Sequence, residues 1–487
     1  MKFFGRKEYI EDLTSLWRKQ TSSIVACRGR RRIGKSTLFR EFAKRTADCY
    51  IEIEGLAPDE ETSKRTSEEN NRKQLKHFIS VLSAYAGREI AVQSDWMSAF
   101  KELDRLIDDS KRTVILLDEV SWMGGYDQDF PGKLRTAWET YLHPHGSLIV
   151  AVCGSVSTWI KENILGNTGF TGRFSRDYVL PELSLAECSE FWREARDRVN
   201  SRDVFDILSV TGGVPRYLEE VDPGLTAEEN IRRMCFETSG ELYKDFDAIF
   251  NPLYGEESEL KRKLLVALSE EPLSACELGK KFALAKNGRI ARLLRELKDG
   301  GFITDDPRLN PETGEQARVS KYRLRDNYIR FYLKYIAQRK LQIETGTYRF
   351  ATLASLPDWT AVMGLQFENL IVNNAMAFIP LLHLGSATIE SVAPYRKTRK
   401  LPNGDKESVQ IDLLIQTPRT AYVVEVKRKK EIGHEIISEM EAKLAKLPLR
   451  KGLSPRPVLI YDGEVDPSVT GTAFFDAVIN AADLLRR

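Results

Sequence analysis

Eight consecutive residues, Gly29-Arg30-Arg31-Arg32-Ile33-Gly34-Lys35-Ser36, match the pattern G-x-x-x-x-G-K-[ST] at every defined position. They follow a short apolar run at 22–27 and precede a helical stretch from Thr37 to Lys44. In that context the glycines let backbone N–H groups face phosphates at a helix N-terminus. Lys35 reaches the β- and γ-phosphates, and the Ser36 hydroxyl ligates Mg²⁺. Gly29 through Thr37 is therefore read as an ATP and Mg²⁺ site; the alternative is a chance glycine turn ahead of a basic helix. Asp118 and Glu119 end a second apolar run, TVILL. Asp118 would sit beside the Mg²⁺ and Glu119 would polarise the attacking water, unless the pair is only a solvated strand end. Ser155 ends a third run in CGSVS. It could orient that water or the γ-phosphate, or serve as a cap or turn serine. Arg173 and Arg176 lie in TGFTGRFSRDY. An arginine delivered by a neighbouring subunit makes hydrolysis depend on assembly, whereas most arginines are solvated surface.

A second constellation lies near the C-terminus. Asp412 interrupts the strand-like VQIDLLI, where a carboxylate is costly unless it is paired or holds a metal. Glu425-Val426-Lys427 ends the strand-like AYVVEVK, and strand alternation puts Glu425 and Lys427 on one face. A hairpin register that makes Asp412 cofacial would converge two carboxylates and an amine, and Glu368 in GLQFENLIV could approach the same spot. Glu368, Asp412 and Glu425 would hold Mg²⁺ or Mn²⁺ against a phosphate, with Lys427 orienting water or stabilising the transition state. The arrangement resembles the PD-(D/E)XK nuclease superfamily. The alternative is a set of buried ion pairs in a domain without catalysis. Basic runs flank it, Tyr395 to Lys400 in the loop before Asp412 and Lys427 to Lys430 after it, as expected for nucleic-acid backbone contact or for solvated loops.

The elements that must position these groups follow from hydrophobic periodicity. The runs 22–27, 113–117 and 147–153 read as buried parallel strands separated by amphipathic helices at 70–86 and 95–108, giving an α/β domain followed by helices to about 250. This first part resembles the archaeal-type ATPases of the AAA+/STAND group of P-loop proteins through FFGRKEYIEDL, GRRRIGKSTL, LLDEV, CGSVS, TGRFS and TGGVPRYL. The resemblance implies a helical lid, Ser155 as polar sensor and Arg173 as the likelier arginine finger. It also implies Pro215 and Arg216 beside the nucleotide; a nucleotide-dependent homo-oligomer is expected as well. From 259, three short helical units and two strand-like segments around NPETG read as a winged helix-turn-helix. Lys286, Arg289, Arg292 and Arg295 decorate its third helix, to contact DNA or merely to solvate a face. Tyr328, Phe331, Tyr332 and Tyr335 then either stack bases or form a core stripe. Such a tyrosine-rich segment also follows the winged helix in archaeal-type ATPases with an uncharacterised C-terminal domain. Residues 345–487 read as helix (361–378), strands 387–393, 408–416 and 420–427, helix (433–447), strand (456–461) and a terminal helix, an α+β unit.

The expected organisation is thus 1–250, a P-loop ATPase with helical lid; 251–340, a winged helix and linker helix; and 341–487, a PD-(D/E)XK-like domain. With 487 residues, 42% hydrophobic and 30% charged, there is material for about three real cores. Lys and Arg total 73 against 71 Asp and Glu, so net charge neither implies nor excludes nucleic acid. Six scattered cysteines suit small buried hydrophobes in a reducing compartment. No apolar run approaches the ~18 residues of a membrane span, and the start lacks an apolar signal core, so a cytoplasmic protein is expected. His143 and His145 lack partners at zinc-site spacing, which removes zinc chemistry from consideration. The function expected is ATP hydrolysis coupled to a Mg²⁺-dependent nuclease acting on DNA more than RNA. The alternatives are an ATP-driven switch or scaffold, or a DNA-binding regulator without cleavage.

Overall fold

In the computed structural model the apolar runs become β1 (Ser23–Arg28), β3 (Thr113–Asp118) and β4 (Leu148–Gly154), and nearly every residue in them is buried. The structure describes residues 3–155, 157–195, 197–250, 257–284, 288–316, 321–349, 352–384, 388–400 and 405–486. Two further strands join them, β2 (Cys49–Glu54) and β5 (Phe174–Val179), in the parallel order β2-β3-β4-β1-β5. β2 escaped the sequence reading because, at the sheet edge, it buries only Ile51 and Ile53 between the polar Glu52 and Glu54. The strands alternate between two apolar layers. Ile24, Ile115, Leu117 and Val150 face the layer of Phe78, Trp96, Phe100 and Phe130. Val25, Cys27, Leu116 and Ala151 face that of Leu13, Phe39 and Phe42. Helices α1 (Lys7–Leu16), α2 (Lys35–Thr46), α3 (Ser67–Ala86) and α4 (Trp96–Asp104) supply much of those layers. α3 begins in a capping box between Thr66 and Glu69.

His145, dismissed as a zinc ligand, holds two carboxylates from far upstream. Nδ1 lies 2.6 Å from Asp109 Oδ1 and Nε2 lies 2.9 Å from Asp104 Oδ1. Burial alone would lower the imidazole, but these hydrogen bonds outweigh it and raise it above its usual 6.5. A raised folded-state value means stabilisation present in full below the unfolded value and lost as pH rises through the folded one. The melting-temperature gap between wild type and His145→Gln is therefore expected to be widest near pH 6 and to close by about pH 9. A gap independent of pH would refute the charged pair.

The chain divides into two compact bodies. One comprises residues 1–182 with 249–261 and 292–301; the other comprises 183–248, 262–291 and 302–487. This division cuts across the segments 1–250, 251–340 and 341–487. After Glu182 come helices α5 (Ser201–Thr211), α6 (Ser258–Glu270), α7 (Ala275–Lys281), α8 (Arg289–Asp299), α9 (Trp359–Asn373) and α10 (Glu435–Lys446), with further helices at Ala227–Cys235 and Glu241–Ile249 and shorter helical pieces between. α5 packs on α9 rather than standing apart from the C-terminal sheet. Phe205 meets Phe367 edge to face at 5.2 Å, and Gln366 Nε2 donates to Ser209 O at 2.9 Å. α6, α7 and α8 precede the short antiparallel pair β6 (Ile303–Thr304) and β7 (Arg323–Leu324) in the expected order, and Leu273 bridges to Tyr322.

Lys286 lies outside the described residues. Arg292 pairs with Glu257 at 2.5 Å and Arg295 with Glu162 at 3.9 Å, so acids of the protein itself already meet two of the cations assigned to the third helix. Tyr328, Phe331, Tyr332 and Tyr335 are fully buried and pack on Tyr217, Phe246 and Trp359, which decides for the core stripe over base stacking.

The C-terminal sheet runs β12-β11-β10-β9-β8, with β8 (Ser391–Lys400), β9 (Lys406–Gln416), β10 (Thr420–Ile432), β11 (Ser454–Val465) and β12 (Ala477–Asn480). β8, β9 and β10 are antiparallel neighbours, whereas β10, β11 and β12 are parallel. Three expectations are corrected. The basic run at 395–400 is not a loop: it lies on β8, where Arg396 pairs with Gln410 and Lys397 with Val409 of β9. β10 does not end at Lys427 but continues to Ile432, because β11 extends alongside it to Val465. The terminal helix is cut down to a short 3-10 helix at Ala481–Leu485, because β12, whose Ala477–Asn480 pair along β11, takes the residues before it. All six cysteines are free, and Cys276, unlike the others, is exposed.

Candidate functional site

β1 delivers the glycine loop at the end where parallel strands finish. Gly34 caps α2 with φ 86, a left-handed conformation that favours glycine there. Lys35 is buried, and its Nζ donates to Gly29 O at 3.1 Å and Arg30 O at 3.0 Å, so the lysine braces the loop from within. Ile33 is buried beneath the loop, Arg30 pairs with Glu182 at 3.6 Å, and Arg31 lies over the Trp122 ring at 5.1 Å. Thr37 belongs to the first turn of α2.

β4 lies between β1 and β3, so the loop, the acidic pair and Ser155 occupy three neighbouring strand ends. The Ser36 hydroxyl donates to Asp118 Oδ2, while Asp118 Oδ1 accepts the Glu119 N–H at 2.9 Å. That hydroxyl–carboxylate contact supplies hard oxygen donors beside a helix N-terminus, a set that suits Mg²⁺. Glu119 sits at φ 46, an uncommon conformation for a side-chain-bearing residue and one that recurs at functional sites. Its Oε2 accepts from Ser155 N at 3.0 Å and Ser155 Oγ at 2.9 Å. Ser155 therefore orients the glutamate. A Cβ on Gly55 would come within 2.7 Å of Glu119 O, so the β2 end must be glycine for Glu119 to lie where it does. Glu54, missed in the sequence, stands in register with Asp118. Burial, then Asp118 and Glu119, raise its carboxyl. Its only signal was an acid closing an edge strand.

The two arginines differ. Arg176 is held by Asp12 through two 2.7 Å hydrogen bonds, and the Tyr178 hydroxyl donates to the same carboxylate at 2.5 Å. Arg173 pairs with the exposed Glu139 and directly precedes β5. Phe174 is opposite Ile24 while Val179 is opposite Arg28, so Arg173 sits at the starting edge of the sheet. At ~3.3 Å per residue it is roughly 16 Å from the edge that carries the loop. Pro215 and Arg216 lie in the second body, where Arg216 meets Glu220 at 2.9 Å, Glu219 at 3.4 Å and Glu241 at 3.5 Å.

The C-terminal constellation assembles on β9, β10, α9 and α10. The antiparallel register that pairs Val424 with Leu413 brings Glu425 and Asp412 to the same face. Asp412 stands where both ladders falter: β8 shifts register between Ala393 and Tyr395, and Asp412 Oδ2 accepts the Val426 N–H at 2.9 Å. Such irregularities recur beside active sites. Burial, with Glu368 and Glu425 alongside, pushes Asp412 up to about 8. Burial and Glu425 likewise raise Glu368. Lys427 Nζ is 2.9 Å from Glu425 Oε1 and 2.9 Å from Glu439 Oε2, and Lys443 holds Glu425 Oε2. Lys443 and Glu439, absent from the sequence reading, are one turn apart on α10, a spacing visible in EMEAK but indistinguishable there from a surface pair.

Among the described residues no group of three or more His, Cys, Asp and Glu side chains is set as a metal cage. Asp412 and Glu425 nonetheless fit Mg²⁺, which is held elsewhere by one or two carboxylates together with water and substrate phosphate.

Three adjacent parallel strand ends bearing a phosphate loop, an acidic pair and a polar side chain define a P-loop ATPase domain, and the protein is an ATPase. Residues 3–221 match the family model described as an ATPase domain predominantly from Archaea. The chain is 22% identical over 389 residues to MJECL04, an uncharacterised protein of Methanocaldococcus jannaschii, covering 78% of this chain and 80% of that one. Among solved structures it is similar to the Walker-type ATPase PABY2304 of Pyrococcus abyssi, with TM-score 0.47, 15% identity, and coverage of 68% of this chain and 96% of that one. It is also similar to the ORC2 protein of Aeropyrum pernix, with TM-score 0.41, 15% identity, and coverage of 70% and 96%. Among the described residues no helix is long and apolar enough to cross a membrane.

Proposed function

We propose that the protein couples ATP hydrolysis to a Mg²⁺- or Mn²⁺-dependent nuclease acting on DNA in preference to RNA. In the first body Lys35 and the loop N–H groups bind the phosphates, Ser36 and Asp118 hold Mg²⁺, and Glu119 takes the proton of the attacking water. Arg173, at the sheet edge away from its own loop, serves the nucleotide of another copy, so hydrolysis needs a homo-oligomer.

The observation that carries the nuclease reading is the cofacial placement of Asp412 and Glu425 beside Lys427, at a break in both ladders. Asp412 and Glu425 would hold the metal ion, with Glu368 alongside them, and the ion would supply Lewis-acid charge and an activated water when bound. Lys427 orients the water and neutralises charge on the phosphate. The region of α6–α8 with β6 and β7 acts as a winged helix on the duplex. Purified protein and Asp412→Ala should be incubated with linear, circular and single-stranded DNA and RNA, with Mg²⁺ or Mn²⁺, with and without ATP. Metal-dependent cleavage that Asp412→Ala lowers by at least ~100-fold, with ATP turnover unchanged, is the expected result. No cleavage in any condition would transfer the reading to an ATP-driven switch that grips without cutting. The clasp of Lys427 and Lys443 on Glu425, a closed set of ion pairs, favours that second reading.

A further inference from the structure

Glu425 is only 3% exposed, and both its oxygens are occupied by cations. Lys427 takes Oε1 at 2.9 Å and Lys443 takes Oε2. The two lysines are not equivalent. Lys427 rises from the same strand face as Glu425 and is shared with Glu439 at 2.9 Å, so carboxylates on two elements fix it. Lys443 reaches in from α10, and among the described residues it makes no hydrogen bond or ion pair except that to Glu425. It is the one cation of the pair whose departure leaves no second carboxylate unpaired. The need for a cation is plain from the surroundings. Asp412 and Glu425 are both buried on one face and Glu368 is close by. Buried carboxylates without a counter-charge are strongly unfavourable. A lysine ammonium is a compact point charge on a flexible four-carbon stem, well suited to occupy such a place and to leave it.

We propose that Lys443 is the place-holder for the divalent cation of the C-terminal site: its ammonium neutralises Glu425 Oε2 until a metal ion takes that oxygen, and the exchange frees it to face a phosphate. The inference rests on the metal-dependent reading of Asp412 and Glu425. It assigns Lys443 a positioning role that depends on charge, unlike a lysine that merely braces the glutamate. A bracing lysine holds the ligand in place, so its loss weakens metal binding. A place-holder competes with the metal, so its loss strengthens binding.

The test is Mn²⁺ binding to the full-length protein without nucleotide or nucleic acid, followed by the electron paramagnetic resonance signal of free Mn²⁺. Wild type, Lys443→Gln, Lys443→Arg and Lys446→Gln are each compared with a partner also carrying Asp412→Ala, so that only the Asp412-dependent component is read. Lys443→Gln should tighten that component about tenfold, the effect of one neighbouring charge worth about one pKa unit. Lys443→Arg, which keeps a cation, and Lys446→Gln, which loses one a turn away, should both stay within about twofold of wild type. Metal-free Lys443→Gln should also melt lower than wild type, with Mn²⁺ closing the gap; folding is checked from the far-ultraviolet circular dichroism. Asp412-dependent binding that Lys443→Gln leaves unchanged or weakens overturns the place-holder alone. Absence of any such component in wild type and in Lys443→Gln overturns the metal-site reading and this inference with it.

Discussion

Glu119→Gln is expected to lower the ATPase rate by about 10²- to 10³-fold while leaving ATP affinity within about twofold, because a general base contributes to the transition state and not to ground-state binding. The amide keeps the size of the carboxylate and can still meet Ser155, whose N–H and hydroxyl now reach Glu119 Oε2 at 3.0 and 2.9 Å. It loses only the capacity to accept a proton. Fold and backbone should therefore survive, including the φ of 46 at that position. Steady-state phosphate release and fluorescent-nucleotide titration separate the two quantities. Lys35→Ala makes the contrast, since it removes the group proposed to reach the phosphates and should weaken binding itself. Wild-type turnover in Glu119→Gln would move the proton acceptor elsewhere, and Glu54, in register with Asp118, would be the next carboxylate to replace.

Arg428→Ala should destabilise the second body by about 3 kcal/mol, the low end for breaking a buried ion pair from one side. Arg428 leaves β10 next to Lys427, and its side chain is 6% exposed. Nε donates to Asp462 Oδ2 at 3.0 Å, Nη2 donates to Asp206 Oδ1 at 2.9 Å, and the guanidinium lies 5.6 Å from the centre of the Phe367 ring. Truncation strands two carboxylates that the fold has already desolvated; burial holds Asp206 above its usual range even with Arg428 beside it. Arg428→Lys should recover only part of the loss, because an ammonium cannot present the planar fork that spans both acids. Adding Asp206→Asn to Arg428→Ala should restore roughly 1 kcal/mol by removing one orphaned charge. Urea unfolding followed by tyrosine and tryptophan fluorescence reads these three variants together with Asp206→Asn alone. Additive losses in the double variant would show that Arg428 and Asp206 do not interact.

The nucleotide site was legible because its chemistry is local. Gly29 to Ser36 carry their own turn, and the acid pair closes a run whose apolarity marks a buried strand. What escaped depends on distance in the chain. β2 is half polar, so neither period shows in CYIEIE. The partner of Ser155 proved to be Glu119, thirty-six residues upstream, and no spacing rule announces that. The acids that meet Arg173 and Arg176 come from Glu139 and Asp12, so only the fold distinguishes an arginine at a free surface from one locked to the first helix. In the C-terminal sheet, strand alternation sufficed to join Glu425 with Lys427. Asp412 needed the register, and Lys443 needed a helix laid across the face. The basic run at 395–400 looked like a loop because charges hid the alternation, yet backbone pairing with β9 holds it extended whatever its side chains.

Phe205, Asp206 and Ser209 lie within about two turns of α5, and each finds its partner in the C-terminal part: Phe367, Arg428 and Gln366. The heritable module is therefore not the stretch of sequence that looks like a nuclease. A lineage that exchanged residues 341–487 for another enzyme would leave α5 with an aromatic ring, an acid and a carbonyl facing surfaces never selected to receive them. Recombination between relatives should succeed only where the crossover carries α5 and the C-terminal sheet together, so that the helices after Glu182 and that sheet travel through evolution as a single allele.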